Sequence, residues 1–191
     1  MKTSEKTKVI SITIVIILLG LSLNSFSEKP SVSLNTVENL DCVNSHFFLG
    51  VQFDLNGKYD SAILELTESI KLNPRNAEAY NARGIIYTKL IKYRKALKDF
   101  NKALEIDSKY VEAYNHRGIV YYCIGEYTLS VDDYSKALEL NPEYGKAYFN
   151  RGISELMQDD EYNAMADMTK ASTMNVKEAL DFLSKNPSYK N

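Results

Sequence analysis

The sequence predicts an all-α fold in which four helix-turn-helix units follow one another along the chain. A period of 34 residues divides the chain into windows 43–76, 77–110, 111–144 and 145–178. Three positions of every window hold only Gly, Ala or Ser, although these types fill just 38 of the 191 positions. They are position 8 (Gly50, Gly84, Gly118, Gly152), position 20 (Ala62, Ala96, Ser130, Ala164) and position 27 (Ser69, Ala103, Ala137, Ala171).

Each window is interpreted as two antiparallel helices that cross closely. Small residues at positions 8 and 20 let two helix axes approach to about 8 Å, while large residues fill the space around the crossing. Pro74 and Pro142, at position 32, cannot continue the second helix. We therefore predict helices at 44–56, 60–73, 77–90, 94–107, 111–124, 128–141, 145–158 and 161–174, followed by a short capping helix at 177–185.

The segments 79–87 (AYNARGIIY) and 136–142 (KALELNP) resemble the tetratricopeptide-repeat family, and the resemblance extends over about residues 43–178. It implies a right-handed superhelix of helix pairs, with a concave groove lined by the first helix of each repeat. The end windows depart from the family pattern at His46, Glu155 and Val176, as terminal repeats with only one neighbour often do. Residues 179–191 are interpreted as the capping helix and tail, and residues 28–42 as a linker.

The resemblance also implies which side chains line the groove, namely those at positions 2, 5, 9 and 12 of the first helices. Asn81 and Asn115 occupy position 5, and an Asn side chain can donate to and accept from one peptide unit. They would either grip a bound strand or only hydrogen-bond neighbouring helices, and the sequence leaves both readings open. The candidate groove residues are Phe47, Val51, Asn81, Ile85, Asn115, Ile119, Tyr122, Lys146, Phe149 and Ile153.

Some members of the family hold the acidic tails of chaperones with a carboxylate clamp of Lys, Asn and Arg side chains. We do not expect this clamp here. When the clamp positions are matched to the windows starting from either the first or the second, Lys146 alone has the expected residue type.

A second pattern consists of charges that repeat with the same period. Position 7 is Arg in the last three windows, and position 23 is acidic in all four. Because the first window lacks both the Arg and a preceding window, we expect each Arg to pair with the acid of the preceding repeat. The expected pairs are Glu65–Arg83, Asp99–Arg117 and Asp133–Arg151, with Asp167 left over.

The composition gives little support for catalysis or for nucleic-acid binding. The chain has 23 basic and 25 acidic residues, so it lacks the basic surplus that contacts with phosphates require. His46 and His116 are not spaced as metal ligands, and no phosphate-binding loop or nucleophile elbow is present. We therefore expect no catalytic residue, no metal, no cofactor and no nucleic-acid partner.

The N-terminal residues 1–27 form a separate segment. Lys2, Lys6 and Lys8 precede an apolar run over residues 9–23, and Ser25 and Ser27 precede Glu28 as in a cleavage site. The segment is either a cleaved signal peptide or a retained membrane anchor, and both place the repeats outside the cytoplasm. The sequence thus predicts an exported adaptor that binds a protein segment in its groove. The alternative is a structural or assembly component anchored at a membrane surface.

Overall fold

The computed structural model describes residues 34–186, and this part of the chain consists of α-helices and turns with no strand. All four repeats lie in the compact unit formed by residues 39–191. The helices are α1 (Leu34–Leu55), α2 (Tyr59–Leu72), α3 (Ala77–Lys89), α4 (Tyr93–Ile106), α5 (Val111–Cys123), α6 (Tyr127–Leu140), α7 (Gly145–Leu156), α8 (Glu161–Thr173) and α9 (Lys177–Lys185).

The helix pairs α1–α2, α3–α4, α5–α6 and α7–α8 are the four predicted repeats, and α9 packs on α8 as a cap. The observed ends lie within two residues of the predicted ones, except at the beginning of α1. That helix begins at Leu34 instead of 44, so the prediction of a linker is wrong for residues 34–42. Leu34, Val37 and Leu40 recur every third residue and lead into Val43 of the first window, and residues 34–42 contain no Pro or Gly that would end a helix. Residues 1–27 lie outside the described part of the chain.

The Gly at position 8 marks a close helix crossing, as the sequence predicted. A Cβ built on Gly84 would lie 2.7 Å from Cε1 of Phe100, and one on Gly118 would lie 2.8 Å from Cε1 of Tyr134. Both rings, at position 24, are fully buried. The small residue at position 20 also contributes, because the hydroxyl of Ser130 donates to the carbonyl oxygen of Gly118 at 2.9 Å. Each first helix therefore packs directly against the second helix of its own repeat.

The turn between the two helices of each repeat uses a left-handed backbone conformation at position 15. Gly57 and Gly125 have φ of 70° and 83° there, whereas Ile91 and Asp159 adopt φ of 59° and 60°. A β-branched residue is disfavoured in this region because its side chain crowds the backbone. Ile91 is also 72% exposed, so the strain at this position is not offset by burial.

Candidate peptide-binding groove and the charged side chains around it

The first helices of neighbouring repeats lie side by side and share one register. Three hydrogen bonds join position n of one first helix to position n+1 of the next, each spanning 35 residues in sequence. They connect Asp54 to Lys89 (2.7 Å), Asn81 to His116 (3.1 Å) and Asn115 to Asn150 (3.1 Å). Equivalent positions of successive repeats therefore form continuous rows across the four first helices.

One of these rows is apolar and only half-buried. It consists of the position 9 residues Val51, Ile85, Ile119 and Ile153. The next residues along the chain, Ile86 and Val120, are by contrast completely buried. Position 9 thus leaves part of each aliphatic side chain facing solvent, once in every repeat. We call this row, together with the half-buried Phe47, Tyr122 and Phe149 and the exposed Lys146, the groove.

The two Asn residues that were predicted to line the groove are engaged inside the protein. Asn81 and Asn115 are only 6% and 4% exposed. The Asn81 side chain accepts at Oδ1 from His116 and donates from Nδ2 to the hydroxyl of Tyr110 at 3.2 Å. The Oδ1 of Asn115 accepts from Nδ2 of Asn150. These contacts favour the second reading, in which the Asn side chains fasten neighbouring first helices, and leave the groove surface mainly apolar.

His116 occupies this junction as a neutral ring. It stacks on Phe100 with ring centroids 6.0 Å apart. Burial lowers the pKa of His116 to about 4, although the carboxylate of Glu112 opposes the shift. The ring therefore stays uncharged at neutral pH and serves packing and hydrogen bonding.

The predicted pairing of Arg with the acid of the preceding repeat is wrong. Each Arg instead binds the acid of its own repeat with two hydrogen bonds. Glu65, whose repeat has Leu49 instead of an Arg at position 7, contacts Nδ1 of His46 at 2.6 Å. The shortest contacts of the three pairs are Arg83–Asp99 at 2.7 Å, Arg117–Asp133 at 2.6 Å and Arg151–Asp167 at 2.6 Å.

The pairing within a repeat follows from the helix crossing. The Gly at position 8 faces position 24, sixteen residues later, so its neighbour at position 7 faces position 23 at the same offset. The periodic small and aromatic residues contained this signal. The lack of an Arg at position 7 of the first window had instead suggested pairing with the acid of the preceding repeat.

The same Arg residues nevertheless connect neighbouring repeats through another atom. Nη1 of each donates to an oxygen at position 25 of the preceding repeat. The acceptors are Thr67 for Arg83 (2.9 Å), Asn101 for Arg117 (2.7 Å) and Ser135 for Arg151 (3.0 Å). In the first window, position 7 is Leu49 instead of an Arg. Sequence reasoning did not identify position 25, whose side chains share only an oxygen acceptor.

Tyr rings enclose the guanidinium groups in the middle repeats. Arg83 lies 5.7 Å from the ring centroid of Tyr80 and 5.9 Å from that of Tyr87. Arg117 is placed in the same way between Tyr114 and Tyr121. Cation–π attraction and exclusion of water strengthen each Arg–Asp pair. We call each set of one Arg, its Asp and its flanking rings a rung.

The last rung differs because Glu155 replaces the second Tyr. Its Oε1 lies 3.8 Å from Nε of Arg151, while its Oε2 is buried without a hydrogen bond among the described residues. Burial raises the pKa of Glu155 to about 7, and Asp167 raises it further in the same direction while Arg151 opposes the shift. Glu155 therefore exchanges its proton near neutral pH inside the terminal repeat.

Within residues 34–186 no helix is long and apolar enough to cross a membrane. Over the same residues, no group of three or more His, Cys, Asp and Glu side chains could hold a metal ion. The fold is thus that of a helical-repeat module of the kind that binds other proteins.

Comparison with known proteins gives the family. A family model described as the tetratricopeptide repeat matches residues 77–110 and 111–144, and a second, described as the TPR repeat, matches residues 55–90. The chain belongs to the tetratricopeptide-repeat family. A search of curated proteins found no match.

Several solved structures share the fold. A structure of MamA is 25% identical, with 72% of this chain and 80% of that chain covered and a TM-score of 0.66. PilF of Pseudomonas aeruginosa is 21% identical over 80% of this chain and 72% of its own, with a TM-score of 0.71. The first TPR domain of Spaghetti (RPAP3), solved with the bound HSP90 peptide SRMEEVD, is 25% identical over 62% of this chain and 94% of its own, with a TM-score of 0.61.

Proposed function

We propose that this protein is a non-catalytic adaptor that binds a segment of a partner protein in the groove. Proteins of this family generally act as scaffolds without catalytic activity, and one structural neighbour holds a peptide. The observation that carries the proposal is the half-buried row of Val51, Ile85, Ile119 and Ile153, one aliphatic side chain per repeat that is still partly open to solvent. A row of apolar surface that the fold itself does not cover is a docking surface for an apolar face of a partner.

The contacts of Asn81 and Asn115 restrict the kind of recognition. Because these amides are buried and hydrogen-bonded, the groove offers few side-chain hydrogen bonds to the backbone of a bound strand. Recognition therefore relies on apolar side chains of the partner, as when one face of an amphipathic helix enters a groove. A chaperone tail is not the expected ligand, because only Lys146 matches the carboxylate clamp.

Site-specific photo-crosslinking in cells tests the proposal. A photoreactive benzoylphenylalanine replaces Ile85 or Ile119 in the groove, or Leu129, which is 43% exposed on a second helix, as the control. We expect one partner to be crosslinked from both groove positions and not from position 129. Loss of the crosslink in Ile119→Arg, when the photoreactive group is at position 85, completes the test. Equal crosslinking from all three positions, or a crosslink that survives this substitution, would show that the groove is not the binding surface.

The alternative function, an assembly component at a membrane surface, has one observation in its favour. Positions 6 and 7 face the preceding repeat, and in repeat 1 they are Phe48 and Leu49, which are 66% and 39% exposed. This end of the array would suit packing against a larger complex. Membrane fractionation with N-terminal sequencing separates the two functions. We propose export, so a mature chain starting near Glu28 supports a released adaptor, whereas an intact N-terminus in the membrane fraction supports the anchored component.

A further inference from the structure

A second surface lies away from the groove, on the side of the second helices. A cleft of about 730 Å³ opens between α2 and α4, with α3 at its floor. The floor is the rung of Tyr80, Arg83 and Tyr87, and the wall contributed by α4 carries Lys95, Lys98 and Lys102. It shares no residue with the groove.

The charges in this cleft are unbalanced. Its two carboxylates are already paired, Asp99 with Arg83 at 2.7 Å and Glu105 with Lys102 at 2.7 Å. Within residues 42–186, Lys95 and Lys98 form no ion pair. The ammonium of Lys95 lies 5.5 Å from the centroid of the Tyr87 ring at the floor. The cleft thus presents two uncompensated cations above a surface of aromatic rings.

The other repeats show that these lysines are not required by the fold. Positions 19 and 22 are Lys95 and Lys98 in repeat 2, but Leu129 and Asp132 in repeat 3. The rung is nevertheless the same in both, with an Arg between two Tyr rings. Window 77–110 carries eight basic and four acidic residues, whereas window 111–144 carries two and six. The positive charge is therefore specific to repeat 2, although the chain as a whole is slightly acidic.

We propose that this cleft binds an acidic segment of a partner protein. Lys95, Lys98 and Lys102 follow one another at spacings of three and four residues, so they form a stripe on one face of α4. Along the helix axis the steps are about 4.5 and 6 Å. Alternate side chains of an extended chain are about 7 Å apart on one face. Carboxylates at every second residue of an extended segment can therefore bind neighbouring lysines. Lys102 would give up its contact with the exposed Glu105 and bind one of these carboxylates instead.

The aromatic floor makes these contacts stronger than they would be on an open surface. Tyr80 and Tyr87 exclude water from one side of the cleft, and ion pairs gain strength where the local dielectric is low. The carboxylates of the peptide receive charge-assisted hydrogen bonds from the ammonium groups. Because the lysines remain partly exposed, the interaction weakens as salt increases.

Fluorescence anisotropy of a labelled peptide with alternating Glu and Gly measures the binding to the full-length chain. The same peptide with Gln in place of Glu is the ligand control. The test variant is Lys95→Leu with Lys98→Asp, which gives repeat 2 the residues that repeat 3 already tolerates. The control variant is Lys92→Leu with Lys109→Asp, which changes the net charge equally outside the cleft.

We expect the test variant to weaken binding of the Glu peptide about tenfold or more, which corresponds to about 1.4 kcal/mol. The control variant and the groove variant Ile119→Arg should bind as the unchanged chain does. Equal weakening by both charge variants would overturn the proposal, since net charge alone would then explain binding. Peptide binding unaffected by the test variant would overturn it as well. A third result would also overturn the proposal: the chain forms a dimer that the test variant dissociates, and the peptide does not bind. The occupant of the cleft would then be a second copy of the chain.

Discussion

Removing the carboxylate of Asp133 should destabilise the protein far more than removing that of its neighbour Asp132. Asp133 is 5% exposed and accepts two hydrogen bonds from Arg117, at 2.6 and 2.8 Å, whereas Asp132 is exposed. Asp133→Ala leaves the enclosed guanidinium of Arg117 without its counterion. Breaking one partner of a buried pair costs about 3–5 kcal/mol. Arg117 keeps its bond to Asn101 and its Tyr neighbours, so we expect about 3 kcal/mol.

The control for this experiment is Asp132→Ala, which removes the same charge one residue away. An exposed carboxylate is worth about 0–1 kcal/mol, so the two variants should differ by at least about 2 kcal/mol. Urea denaturation followed by circular dichroism gives both free energies of unfolding, and equal slopes show that the same structure unfolds. A third variant, Asp133→Leu with Arg117→Met, should recover stability relative to Asp133→Ala, because the unpaired charge is gone.

The reasoning would be refuted if Asp133→Ala and Asp132→Ala had the same midpoint. The rung would then be a surface ion pair of no consequence for stability. A lower slope in Asp133→Ala alone would instead show that one end of the array unfolds separately, and the comparison would be repeated with probes in single repeats.

Three further substitutions test other features of the structure. Gly118→Leu should lower the melting temperature and cost about 1–3 kcal/mol, because its Cβ would lie 2.8 Å from the buried Tyr134 ring; a higher melting temperature would indicate that helix propensity outweighs the crossing. Ile91→Gly should stabilise by about 0.5–1 kcal/mol in urea titrations, because it relieves a φ of 59°, while Gly125→Ile should destabilise at the equivalent turn. The folded pKa of Glu155 is about 7 against an ordinary 4.5, so its contribution to stability falls as pH rises between these values. Glu155→Gln should therefore match the unchanged chain near pH 4.5 and exceed it by up to about 3 kcal/mol above pH 7, as seen in denaturation at a series of pH values; a constant difference would contradict the shifted pKa.

The sequence could predict the helices and their crossings because these depend on residue size and on breakers that recur in register. Gly84 and Gly118 were assigned to crossings for this reason, and the rings of Phe100 and Tyr134 do lie over them. The extension of α1 to Leu34 was missed because Leu34, Val37 and Leu40, although they recur at helical spacing, lie ahead of the first 34-residue window and outside the repeat pattern.

Polar contacts were harder to predict, since residue type does not say which neighbour a side chain reaches. Asn81 and Asn115 could equally have faced a ligand or a neighbouring helix, and their burial depends on how successive repeats pack. Asp133 was expected to pair with Arg151, but the helix crossing places position 23 beside position 7 of the same repeat, so Asp133 binds Arg117. Glu155 stood out as a departure from the family pattern, but its raised pKa follows from burial that only coordinates reveal.

The bond from each Arg to position 25 of the preceding repeat bears on how such an array can change its length. Thr67, Asn101 and Ser135 are chemically different, yet each offers an oxygen to an Nη1 donor. Any of the three last repeats could therefore follow any of the first three without losing this junction. A gene duplication that inserts 34 residues after repeat 2 or repeat 3 would create a new interface in which this Arg bond is kept. An insertion ahead of repeat 1 would lack this bond at the new junction, because Leu49 has no donor, so the Arg bond favours growth of the array within its length over growth at its N-terminal end.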